Sequence, residues 1–157
     1  MTIIQPQLNV VLHQPEIPQN TGNIGRTCVA AGAKLWLVRP LGFRLDERRL
    51  KRAGLDYWQH LSWEATANWQ ELTEKLESRM WFFTKRASRC YTEAEFQPGD
   101  ALVFGSETAG LPSKILDQGS DFALRIPIQP QVRSLNLSCS VAIGLFEAQR
   151  QLQSGSH

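Results

Sequence analysis

Residues 124–153 read LRIPIQPQVRSLNLSCSVAIGLFEAQRQLQ, and the stretch changes character halfway along. Over residues 122–128 apolar side chains alternate until Pro127 and Pro130 break the pattern, which predicts a strand that ends and a chain that turns. A polar loop then delivers Ser134 and Asn136. Either can cap the helix predicted from Leu137, Val141, Leu145, Ala148 and Leu152, which recur at spacings of three or four. Strand, polar loop and helix in that order bring orphan helix N–H groups beside hydroxyl and amide side chains, a natural place for a ligand. Read plainly, the same stretch is a last strand and a capped helix, and caps outnumber ligand sites.

The chain upstream has the same alternation of elements. An apolar run predicts a first strand over 8–12, and Pro15 and Pro18 then force a loop. Asn20 or Thr21 can cap a helix carrying Ile24, Cys28 and Ala31 on one face, with Gly32 placed to end it and Arg26 one turn in. A second strand is predicted over 34–38, a basic helix over 47–53 between Asp46 and Gly54, a third strand over 57–63 and a helix over 68–79. A fourth strand over 80–84 leads into Thr84, Lys85, Arg86 and Arg89, and a fifth over 101–104 runs into the loop 105–112. Pro112 suits the first position of a helix there. The expected fold class is α/β, an open and mostly parallel sheet with flanking helices.

A chain of 157 residues with 42% hydrophobic residues is expected to form one domain over 1–157 without metals or disulfides. Cys28, Cys90 and Cys139 are odd in number and widely spaced, so neither a disulfide framework nor a metal site is expected, and a reducing cytoplasm is the expected compartment. No basic leader with an apolar core and no membrane-length apolar run is present, so a soluble, unprocessed protein without a membrane partner is expected. Net charge is only +2. Basic residues nevertheless concentrate in 39–52, which holds Arg48 and Arg52, and in 85–89, which holds Lys85 and Arg86. Such clustering suits a polyanion, although a solvated helix face has the same composition.

The loop 105–110 lacks the Lys-Ser/Thr pair of a nucleotide-phosphate loop, because Leu111-Pro112 follows it. Neither Gly-x-Gly-x-x-Gly nor Gly-x-Ser-x-Gly occurs, so nucleotide hydrolysis and hydrolase chemistry have no signature.

Three stretches together resemble the SPOUT superfamily of RNA methyltransferases. They are Asn20-Thr21-Gly22-Asn23-Ile24-Gly25-Arg26, Phe104-Gly105-Ser106-Glu107-Thr108-Ala109-Gly110-Leu111-Pro112, and Ile126-Pro127-Ile128 with Ser134-Leu135-Asn136-Leu137-Ser138. The likeness runs from about Leu8 to Leu152. Pro15-Glu16-Ile17-Pro18 and Arg52-Ala53-Gly54-Leu55-Asp56-Tyr57 further resemble the short, single-domain branch that methylates the ribose 2′-hydroxyl of the tRNA wobble nucleotide, cytidine or uridine. The resemblance implies a deep C-terminal trefoil knot, a homodimer, and S-adenosylmethionine bound through residues 82–84 including Phe82 and Thr84, Gly105, residues 126–128 including Ile126, Ser134 and Leu135. It implies that Arg26 is the catalytic residue and that Asn20 and Glu107 shape the site. A guanidinium is a poor literal base, so Arg26 is read as anchoring a phosphate and stabilising a developing alkoxide, with the proton acceptor left open. Arg48, Arg52, Lys85 and Arg86 are the expected tRNA contacts. Two rival readings are 2′-O-methylation of ribosomal RNA and a non-catalytic RNA-binding protein.

Overall fold

The computed structural model describes residues 8–45 and 56–154. The elements in order are β1 (Asn9–His13), α1 (Pro18–Ala31), β2 (Lys34–Val38), a 3-10 turn (Asp56–His60), β3 (Trp63–Thr66), α2 (Trp69–Lys75), β4 (Met80–Phe83), β5 (Ala101–Phe104), α3 (Ser113–Gln118), β6 (Ala123–Leu124) and α4 (Leu137–Ser154), with further 3-10 turns at Tyr91–Glu93 and Ser120–Phe122. The basic helix expected over 47–53, with Arg48 and Arg52, lies outside the described residues.

The six strands are ordered β3-β2-β1-β5-β4-β6, and the pairs are parallel. Val10 sits in register with Leu35 on one side and Leu102 on the other. The inner strands are apolar on both faces because helices cover both. Val10, Leu12, Leu35, Leu37, Phe83 and Phe104 share a core with Ile24 and Cys28 of α1 and Val141, Leu145 and Ala148 of α4. Val11, Trp36, Val38, Phe82 and Val103 pack on the other face against Leu72 of α2 and Ile115 of α3. Gly144 lets α4 sit close to the sheet, since a Cβ there would lie 2.8 Å from the Phe83 ring. The chain runs from β1 through β2 to β3 on one side, then crosses to the other, where β5 lies beside β1 and β4 lies between β5 and β6.

Four expectations are corrected. Asn20 and Thr21 do not cap α1. The helix starts at Pro18 with Ile17 as its N-cap, and both residues are buried inside it. The third strand is Trp63–Thr66, while Tyr57 and Trp58 belong to the 3-10 turn before it. The helix expected over 68–79 stops at Lys75, because Leu76 is extended at φ −108° and ψ 93°, although Asn68 caps its start by accepting the Glu71 N–H at 2.8 Å. The strand expected over 122–128 is only Ala123–Leu124, continued by a bridge from Arg125 to Cys90 before the prolines release it. At α4, Asn136 rather than Ser134 caps, its Oδ1 accepting the Ser138 N–H at 2.9 Å.

Candidate active site

Three loops leave the carboxyl ends of β4, β5 and β6 and enclose a cavity of about 530 Å³. Phe83 and Phe104, stacked with ring centroids 4.6 Å apart, lie at its base with Leu124. Ile126, Ile128 and Leu135 add apolar wall, and Thr84, Ser106 and Ser134 supply hydroxyls. The cavity is large enough for a cofactor-sized molecule, and its lining mixes apolar side chains with many polar ones, among them Lys85, Arg86, Glu107 and Arg133.

The loops are fastened to one another by one hydrogen-bonded network. The Glu107 carboxylate, from the loop after β5, accepts the N–H groups of Glu16 and Ile17, each at 2.8 Å, and the Asn20 amide at 3.2 Å. It thereby satisfies the start of α1, whose own N-cap side chain makes no such bond. Glu16 reciprocates by accepting the hydroxyl of Thr108 at 2.6 Å and its N–H at 3.1 Å. These bonds, the hydroxyl's first, hold the Glu16 carboxyl below its ordinary range. Buried Asn20 carries the network onward, its Oδ1 accepting the Asn136 amide at 3.1 Å. The three sequence motifs therefore meet in the chain Glu107, Asn20, Asn136.

Gly105 is fixed by the fold of its own loop. A Cβ there would lie 2.0 Å from the Gly110 carbonyl carbon and 2.2 Å from the Leu111 nitrogen, so only glycine lets the loop return to place Gly110 N–H on Ser106 O at 3.0 Å. Arg86 ties the first loop to the second, donating to Leu111 O and Ser113 Oγ, each at 3.2 Å. No cysteine lines the cavity, and burial pushes the Cys28 thiol up to about 12.

The sequence profile of the SpoU rRNA Methylase family matches residues 7–146. The chain belongs to this family. A tRNA (cytidine(34)-2′-O)-methyltransferase of Methylovorus glucosotrophus is 48% identical over 145 residues, covering 91% of this chain and 94% of that protein. A solved structure described as giving insight into the 2-OH methylation of C/U34 on tRNA is 45% identical, with a TM-score of 0.86 over 94% of this chain and 97% of that one. An AdoMet-bound rRNA methyltransferase from Sinorhizobium meliloti is 29% identical, with a TM-score of 0.83 over 95% of this chain and 59% of that one.

Within this SpoU fold, Thr84, Gly105, Ile126, Ser134 and Leu135 all line the cavity, as do Lys85 and Arg86. Phe82 does not. Its ring packs on the opposite face of the sheet against Trp69 and beneath Gly119, and its neighbour Phe83 reaches the cavity instead. Arg86 spends its guanidinium on Leu111 and Ser113 and is a structural tie as well as a rim cation. Arg26 is exposed on α1 and is absent from the lining, whereas Ile17 and Asn20, about two turns earlier, reach it. Arg48 and Arg52 lie outside the described residues. The cavity also takes in Arg133 and Ser140, which sequence reasoning missed although Arg133 directly precedes the third motif. Among the described residues no group of His, Cys, Asp and Glu could hold a metal ion, and no helix is long and apolar enough to cross a membrane.

Proposed function

We propose that the protein transfers a methyl group from S-adenosylmethionine to the ribose 2′-hydroxyl of nucleotide 34, cytidine or uridine, in tRNA. The observation that carries this reading is the junction of Glu107, Asn20 and Asn136, which assembles the three motif loops around one cavity with both apolar and polar walls. The names of the M. glucosotrophus protein and of the C/U34 structure support the tRNA target over ribosomal RNA, and the intact cavity argues against a non-catalytic binder.

Thr84, Gly105, Ile126, Ser134 and Leu135 would hold the cofactor, the apolar residues against its adenine and the hydroxyls against its polar edges. When bound, the cofactor would supply an electrophilic sulfonium methyl to the ribose 2′-oxygen. The chain's own task is alignment and charge stabilisation. Arg26 would bind the phosphate beside the target ribose through its guanidinium and stabilise the ribose oxygen. Lys85, Arg86 and Arg133 give the rim the positive charge a tRNA backbone requires, and Arg48 and Arg52 would extend it.

Arg26 has no access to the cavity of its own chain, and this supports a homodimer in which it serves the neighbouring subunit's site. The exposed stripes of α1 and α4 lie side by side, since the two helices pack together and Gln149 donates to Ala31 O at 3.3 Å. The α4 stripe carries Ile143, 37% exposed, and Phe146, 44% exposed, apolar area suited to a partner. The trefoil threading implied by the family resemblance and a cytoplasmic location belong to the same reading. Purified protein should transfer tritiated methyl from S-adenosylmethionine to bulk tRNA, and Arg26→Ala should not. Transfer by neither, with cofactor bound by both, would overturn the tRNA reading and leave the ribosomal RNA and RNA-binding readings.

A further inference from the structure

We propose that the 3-10 turn Asp56–His60 is a positioning device for Arg26, with Tyr57 holding both the backbone turn and the guanidinium, so that alignment of the substrate depends on a residue outside the cavity. The inference rests on the role given to Arg26 above. The Tyr57 hydroxyl donates to Gly22 O at 2.6 Å, and in an α-helix Gly22 O is also the acceptor for the Arg26 N–H. The Tyr57 ring lies 5.9 Å from the guanidinium carbon of Arg26, at the outer edge of cation–π range. One side chain therefore braces Arg26 at its root and beside its head.

The next residue braces the same turn of helix. Trp58 packs on Gly25 so closely that a Cβ there would lie 2.8 Å from its ring, with Leu61 at 3.1 Å. The Trp58 indole N–H is buried with no hydrogen-bond partner among the described residues, a cost the packing on α1 must offset. Burial pushes the Tyr57 phenol above its ordinary range, against the opposing pull of Arg26. The hydroxyl thus remains a donor throughout the working pH range, as the contact to a carbonyl requires. Exposed arginines ordinarily sample many rotamers, and one that must meet a phosphate across a subunit boundary gains from this restriction.

Tyr57→Phe removes the hydroxyl with little change of volume, and Tyr57→Leu removes the ring as well. The expected result is a kcat reduced several-fold in Tyr57→Phe and about 10- to 100-fold in Tyr57→Leu, as misalignment produces, with cofactor Kd and tRNA KM nearly unchanged. The Arg26 Nε–H heteronuclear NOE should fall in Tyr57→Leu in step with kcat. Folded variants with unchanged kcat, an Arg26 NOE that stays at the wild-type value, or an activity loss that appears wholly in cofactor Kd would each overturn the proposal. The NOE separates this inference from the reading beneath it. If Arg26→Ala keeps full activity while the NOE still responds to Tyr57, the role of Arg26 fails and its bracing by Tyr57 stands.

Discussion

Glu107 and Glu16 clasp each other's loops across 91 residues of sequence: Glu107 accepts the Glu16 N–H at 2.8 Å, and Glu16 accepts the N–H of Thr108, the residue after Glu107, at 3.1 Å. This reciprocal clasp joins the loop after β5 to the start of α1, and both carry cavity residues.

Removing the clasp should therefore weaken cofactor binding, since Glu107 both lines the cavity and holds its loops together. Glu107→Ala leaves the Glu16 and Ile17 N–H groups before α1 and the Asn20 amide within it without this acceptor, and should lower folding stability by ~1–3 kcal/mol in a denaturant titration. Calorimetry should show a raised cofactor Kd in the same variant. Unchanged Kd would mean that the loops hold their shape unaided.

The Glu16 side of the clasp should be sensitive to acid. Its carboxyl lies below the ordinary value of 4.5 in the folded chain, so its contribution is present above that value and is lost as pH falls through the lower folded one. The difference in thermal midpoint between wild type and Glu16→Gln should be constant from roughly pH 8 to 5 and close below roughly pH 4. A gap that persists in acid would contradict this assignment.

Substitution at Gly105 tests the loop rather than the cofactor contact, because the added Cβ meets Gly110 backbone within the same loop. Gly105→Ala should cost ~3 kcal/mol or more and abolish cofactor binding together. Gly144→Ala meets only the end of the Phe83 ring at 2.8 Å, and should cost stability with a smaller loss of binding.

Two neighbouring cations should behave differently. Lys85→Ala should lower tRNA affinity and reduce the slope of log affinity against log salt by about 1, with cofactor Kd unchanged. Arg86→Ala also frees the loop held at Leu111 and Ser113, so it should raise cofactor Kd as well. Equal effects of the two substitutions on cofactor Kd would refute the distinction.

If Arg26 serves the neighbouring site, Arg26→Ala and Ser134→Trp chains should complement. Each alone should be inactive, and an equal, fully exchanged mixture should recover about a quarter of wild-type activity, since half the dimers are mixed and each has one complete site of two. No recovery after proven exchange would exclude the shared site.

Most of the sheet was legible because β1, β2, β4 and β5 are short apolar runs buried on both faces, a pattern that few other elements share. That same burial hid the face of each residue: Trp81, Phe82 and Phe83 are all apolar, so the sequence could not reveal that Phe83 rather than Phe82 meets the cavity. β3 was misplaced because Tyr57 and Trp58 have strand-like composition, yet are held in a 3-10 turn by contacts to Gly22 and Gly25. Asn20 carries the composition of a cap, but the group that satisfies the start of α1 is Glu107, far away in sequence. The motif loops were legible as loops, and the structure brings them around one cavity. Their hydrogen-bonded junction depends on long-range contacts that periodicity does not encode.

Unmodified tRNA incubated with the purified protein and S-adenosylmethionine, digested into oligonucleotides and mapped by mass spectrometry, should carry one added 2′-O-methyl group, on the ribose of nucleotide 34, and none when the protein is Arg26→Ala. A methyl group on a base, on another nucleotide, or only on ribosomal RNA offered in competition would contradict the proposed function.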